Sequence, residues 1–284
     1  MSGLRLEFAK GHGTGNDFVI LPDPEGQLGL TDAVVRRLTD RHVGIGGDGL
    51  LRVVPTRLAD EPEVRALADS APWFMDYRNA DGSKAEMCGN GVRVFAEYLV
   101  RKGWASGDFA VATRAGVRQV RSVEGGYEVA MGMATEVAAP GLVSEAAGQS
   151  WPAVAVFLPN PHAVAFVDSV TAAGPLLEQP TAKPSEVFPA GANFEFVEVL
   201  GERHVRMRVH ERGVGETLSC GTGACAVAYA ARQRAEVPVS EETVWRVDVP
   251  GGTVLVTQRA DGELLLSGPA VIVAEGWLEV EADV

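Results

Sequence analysis

Two stretches, CGNGVRVFAEYLV at residues 88–100 and CGTGACAVAYAAR at 220–232, decide how this chain folds. Each runs Cys, Gly, polar residue, Gly, and then continues with the apolar spacing of a buried helix. Upstream of the first, Asn16 opens NDFVIL after a glycine turn; upstream of the second, Asn160 opens NPHAVAF after a strand-like run. The echo predicts two similar α/β units, each built around a central helix. Short β-type runs bounded by Gly, Pro or Asn fill most of the remainder, among them 18–21, 50–54, 74–77, 154–158, 194–199, 204–209 and 253–258. Helices are few: 33–41 with Thr31 or Asp32 as its cap, 92–102 and 224–234. The turn-rich acidic segment 55–72 reads as a surface excursion, and the Pro-rich segment 174–191 as a long connection.

Composition narrows the function classes. The chain has 284 residues, 46% of them hydrophobic and 22% charged, as expected of a globular enzyme with one large or two ordinary domains. A formal charge of -13 argues against a nucleic-acid or anionic-membrane surface, since both demand clustered Lys and Arg. No apolar run approaches the roughly 20 residues of a membrane helix, and a cytoplasmic address is expected. The three cysteines, Cys88, Cys220 and Cys225, lack the spacing of a closed zinc site and are expected to be reduced thiols.

A thiol in the first turn of a helix meets unpaired backbone amides and the positive end of the helix dipole, both of which favour a thiolate. Cys88 and Cys220 are so placed, and the glycines beside them let backbone N–H groups approach a carboxylate. One such motif reads as a small buried packer at a tight helix entry; two matched motifs read as a site. Cys225, one turn further along ACAVAYAA, is assigned to the core. Nine residues before each cysteine stands a polar candidate, Asn79 and Glu211, and Arg212 offers a fork for a carboxylate. His162 is suited to tuning a thiol, and Asn16, Asn160 and Asn193 to orienting a zwitterion. GIGGDG at 44–49 fits a dinucleotide fingerprint in letters, yet a helix precedes it and a strand follows, the reverse of what that motif requires. No NAD site is implied.

The blocks GTGNDF (13–18), DRHVGIGGDGLL (40–51), RNADGSKAEMCGNGVRVFA (78–96), NPH (160–162), GANFEF (191–196) and HERGVGETLSCGTGACA (210–226) together resemble the diaminopimelate epimerase family. The resemblance implies an α/β (α+β) fold of two pseudo-symmetric domains, each a strongly curved, mostly antiparallel sheet around a central helix, with the substrate in the cleft between them. It divides the chain into 1–128 plus 268–284 and 129–267. It further implies Cys88 and Cys220 as the acid–base pair, His162 and Glu211 as groups that modulate the thiols, and Asn16, Asn79, Asn160, Asn193, Glu211 and Arg212 as substrate contacts. Backbone at Gly89-Asn90 and Gly221-Thr222 is to cradle the reacting carboxylate. No metal, pyridoxal phosphate or other cofactor is implied; the substrate is diaminopimelate and the assembly usually a homodimer. Two positions depart from the pattern: Gly49 stands where many members have Gln, and Pro159 replaces the usual Gly before NPH.

Inverting an α-carbon needs one group to remove a proton and another to deliver one on the opposite face, a task that a thiolate and a thiol share. The nearest rival is a proline or hydroxyproline racemase-like enzyme, which typically reads MCGH where this chain has MCGN at 87–90. A rival of another class is a non-catalytic amino-acid-binding protein with redox-active thiols.

Overall fold

The computed structural model describes residues 4–280. Two compact units divide the chain: residues up to Val129 together with those from Pro269 on, and Ala130–Gly268. The first contains β1 (Leu4–Gly13), β2 (Asn16–Pro22), α1 (Asp32–Thr39), β3 (Gly49–Pro55), α2 (Pro62–Arg65), β4 (Trp73–Asn79), α3 (Gly89–Arg101), β5 (Phe109–Thr113), β6 (Gly116–Val123) and the start of β7 (Gly126–Met133). The second contains β8 (Thr135–Val137), β9 (Val143–Ala146), β10 (Gln149–Leu158), β11 (Asn160–Phe166), β12 (Thr181–Lys183), β13 (Asn193–Gly201), β14 (His204–Glu211), β15 (Gly215–Thr217), α4 (Gly221–Arg234), β16 (Thr243–Val249), β17 (Gly252–Gln258) and β18 (Glu263–Gly268). The last strand, β19 (Val271–Val280), returns to the first unit and pairs antiparallel with β1.

The two units repeat one topology. In the first, the strands run β19–β1–β2–β3–β4–β5–β6–β7, with β2/β3 and β4/β5 parallel and the other neighbours antiparallel. In the second, the order β8–β10–β11–β13–β14–β16–β17–β18 has its parallel pairs at the same places, β11/β13 and β14/β16. Parallel neighbours need a crossover. In both units the second crossover carries the long helix, α3 between β4 and β5 and α4 between β14 and β16.

Both helices are central. Gly89–Ala96 of α3 and Gly223–Ala228 of α4 are buried without a break, and consecutive residues point around the whole helix axis, so every side is covered. Helix α3 touches β1, β2, β3, β4 and β19, while α4 touches strands from β10 through β18. A sheet must curve to present so many strands to one helix. Alanine makes that close approach possible in α4, where Ala224, Ala226, Ala228, Ala230 and Ala231 are all buried.

Three expectations need correction in detail. The helices begin at Gly89 and Gly221, earlier than the glycines suggested, because first-turn glycines adopt helical backbone there despite their low propensity. Segment 55–72 is not a mere surface excursion, since Ala59, Val64 and Ala71 join Val54, Phe74 and Ala112 in a core cluster. Segment 174–191 contributes Leu176 and Phe188 to the core of the second unit and adds the short strand β12, paired with β9. Among the described residues, no helix is long and apolar enough to cross a membrane.

Candidate active site

The candidate polar residues lie at strand ends and at the starts of the two central helices. In the first unit, β2 and β3 are in register at Phe18↔Gly49, and β3 and β4 at Gly49↔Asn79. Cys88 caps α3: its Sγ accepts from the Gly91 N–H at 3.4 Å. This is the position where Ser or Asp commonly serves. The Cys88 thiol donates to Asn16 Oδ1 at 3.5 Å, and the same oxygen accepts from Asn90 Nδ2 at 3.3 Å. Asn16 presents its carbonyl to the thiol because its own Nδ2 is taken by Asp48 Oδ2 at 2.8 Å, and Arg41 holds Asp48 in turn. Asn79 lies at the end of β4 and donates to Ser83 Oγ at 3.0 Å, beside the Asn16 chain rather than within it.

Gly49 admits no side chain here. A Cβ built on it falls 2.6 Å from the Arg78 carbonyl oxygen and 2.7 Å from the Tyr77 ring. Pro159 is exposed at the reversal between β10 and β11, where its ring meets no obstacle of strand pairing.

In the second unit, Cys220 caps α4 in the same manner, accepting from the Gly223 N–H at 3.4 Å, with Thr222 Oγ1 at 3.5 Å. Here the surroundings are ionisable. His162 Nδ1 lies 2.6 Å from Glu195 Oε1 and Nε2 lies 3.1 Å from Asn160 Oδ1, with both members of the His162–Glu195 pair fully buried. Glu211 accepts from Thr217 Oγ1 at 2.6 Å and faces the Cys220 thiol. Burial pushes the Glu211 carboxyl above the usual carboxylate range, opposed by its hydrogen bonds to Thr217 and Cys220. Burial likewise pushes the Cys220 thiol well up, and the negative charges of Glu211 and Glu195 act in the same direction. Asn193 Oδ1 accepts the backbone N–H of Arg212 at 2.9 Å, while the exposed Arg212 guanidinium donates to the Ala190 carbonyl. Gly221 and Gly89 occupy the first positions of their helices, with Thr222 and Asn90 next.

Two groups were not singled out in the sequence. Glu195 hides in NFEFVEV, where it reads as one polar tooth of an alternating strand; a charge on a strand buried on both faces is the available signal. Arg93, fully buried in α3, donates to Asn90 Oδ1 at 2.9 Å and to the Pro269 carbonyl at 3.4 Å, bracing the residue beside Cys88. Cys225, also fully buried, stands at the matching place in α4.

The fold has solved relatives. A Bacillus anthracis protein of the phenazine biosynthesis PhzF family superposes with a TM-score of 0.69 at 18% identity, over 98% of this chain and 100% of that one. A hydroxyproline epimerase from Agrobacterium vitis superposes with a TM-score of 0.66 at 12% identity, over 98% and 94%. At such identities the likeness defines a class by architecture: mixed α/β proteins of this two-unit, sheet-dominated fold, here with a cysteine capping the central helix of each unit. The sequence narrows the class. A family model described as diaminopimelate epimerase matches residues 8–137 and 154–273. A Streptomyces coelicolor protein named diaminopimelate epimerase is 55% identical over 285 residues, covering 97% of this chain and 98% of the relative. One of the same name from Thermobifida fusca is 47% identical over 281 residues, covering 98% and 99%. The chain belongs to the diaminopimelate epimerase family.

Proposed function

We propose that this chain interconverts LL- and meso-2,6-diaminopimelate without a cofactor, using Cys88 and Cys220 as a two-base pair. The observation that carries the reading is the repeated cap: in each unit one thiol stands at the N-terminus of the central helix, bonded to the amide three residues on. Each helix start offers Gly-flanked amides to a substrate carboxylate, which gains charge as the α-proton leaves. One thiol takes the proton and the other delivers one to the opposite face; the reverse reaction exchanges their roles.

The environments of the two thiols support a division of labour. Burial and the neighbouring carboxyl groups disfavour the Cys220 thiolate, which suits Cys220 to deliver the proton in the direction in which Cys88 removes one. His162 and Glu211 tune Cys220, while Asn16, Asn79, Asn160, Asn193, Glu211 and Arg212 hold the substrate. Glu211 is suited to an ammonium and Arg212 to a carboxylate, as a substrate with two amino-acid centres requires. The accompanying reading is a cytoplasmic homodimer. Incubation in D2O with LL-diaminopimelate, meso-diaminopimelate and L-proline tests the substrate assignment: α-deuterium is expected in diaminopimelate and not in proline. The opposite selectivity would transfer the chain to the racemase reading.

A further inference from the structure

The repeated topology allows the two thiol surroundings to be compared position by position. Register aligns Cys88 with Cys220, Asn79 with Glu211, Gly49 with Asn193, Phe18 with His162 and Leu51 with Glu195. Contacts at the helix starts agree. A Cβ built on Gly91 meets Cys88 Cβ at 3.4 Å, Phe18 Cζ at 3.5 Å and Leu51 Cδ2 at 3.6 Å. A Cβ built on Gly223 meets Glu195 Oε1 at 2.8 Å, Cys220 Cβ at 3.3 Å and Cys220 Sγ at 3.4 Å. Where the first unit packs an apolar pair under its thiol, the second packs a buried carboxyl and imidazole.

We propose that Glu195 is a positioning residue of the Cys220 half-site: it fixes the His162 ring and sets its carboxylate in the space left by Gly223, making the two otherwise matched thiols inequivalent. Leu51 shows that an apolar side chain fits this place in the fold. A carboxyl group there is costly to bury, and Glu195 Oε2 is buried with no hydrogen-bond partner. Packing therefore gives no reason for Glu195. Its effect falls on Cys220, whose neighbours are Glu195 from β13, Glu211 at the end of β14, the Thr222 hydroxyl and Gly223 N–H of its own helix, and His162 of β11 through Glu195. A carboxylate beside the thiol favours S–H over S⁻ and so favours the form of Cys220 that delivers a proton when Cys88 removes one.

The inference deepens the epimerase reading, and its test separates the two. Alkylation of Cys220 by iodoacetamide, followed across pH by peptide mass mapping without substrate, reports the thiol directly. Glu195→Gln is expected to lower the pH midpoint of that reaction by about one unit. The double variant His162→Phe/Glu195→Leu, which copies the packing of the first unit, is expected to lower it similarly and guards against misfolding of the single variant. Turnover of Glu195→Gln is expected to fall 10- to 100-fold in kcat with KM within about threefold, and the pH profile to move with the alkylation midpoint. A midpoint unmoved in both variants overturns the role of Glu195. A midpoint that moves while the turnover profile stays fixed instead contradicts the use of Cys220 in epimerisation.

Discussion

Alanine substituted at the two helix-start glycines should have opposite effects, although the motifs around them are nearly the same. At Gly91 the new methyl group would rest at 3.4–3.6 Å from Cys88, Phe18 and Leu51, ordinary contact distances. Replacing glycine by alanine inside a helix then stabilises by up to about 1 kcal/mol. At Gly223 the methyl would lie 2.8 Å from Glu195 Oε1. That oxygen cannot retreat without cost, because it is fully buried and held 2.6 Å from His162 Nδ1. Overpacking of this kind costs about 1–3 kcal/mol. At roughly 2–4 °C per kcal/mol for units of this size, Gly223→Ala should lower Tm by about 2–12 °C while Gly91→Ala leaves it unchanged or slightly raised. Thermal unfolding followed by circular dichroism measures both. Equal shifts, or a more stable Gly223→Ala, would refute the packing argument and with it the placement of Glu195 beneath the second helix.

Other perturbations test the surroundings. Arg52, 3% exposed, pairs with buried Asp23, so Arg52→Leu leaves Asp23 with only the Gln27 and Leu28 backbone N–H groups, while Asp76 keeps Arg78 and Arg114; the loss should cost about 3–5 kcal/mol in urea unfolding. Gly49→Gln should destabilise by about 1–3 kcal/mol, since its Cβ collides with the Arg78 carbonyl; an unchanged urea midpoint would contradict this. His204, Thr253 and Arg246 outweigh burial and hold the Asp248 carboxyl down at about 2, below its ordinary 3.8. Its folded pKa being depressed, its contribution is whole above about pH 4 and is lost as pH falls toward 2. Acid titration should show that loss in the wild type and a shallower one in Asp248→Asn.

The matched Cys-Gly-x-Gly motifs made both central helices legible, and with them the duplicated plan, because a glycine-flanked cysteine before an apolar helix is a local pattern. What lies under each thiol was less legible. Asn79 and Glu211 both stand nine residues before a cysteine and both end equivalent strands, yet Glu211 faces its thiol while Asn79 bonds Ser83. Spacing along the chain fixes the strand end, not the direction of the side chain. Glu195 escaped because its importance depends on His162 in a different strand, 33 residues away, and on the space above Gly223. Ala59, Val64 and Ala71 escaped because three small or medium apolar residues in an acidic, turn-rich segment make no periodic signal, although together they close a core.

The central claim is that one thiol removes the α-proton and the other replaces it. Its most direct test is α-deuterium incorporation from D2O into diaminopimelate, coupled to epimer analysis, for Cys88→Ala and Cys220→Ala. Each variant is expected to fold with a Tm near that of the wild type and to yield no epimerised, α-deuterated product. Epimerisation at near wild-type rate by either variant would contradict it.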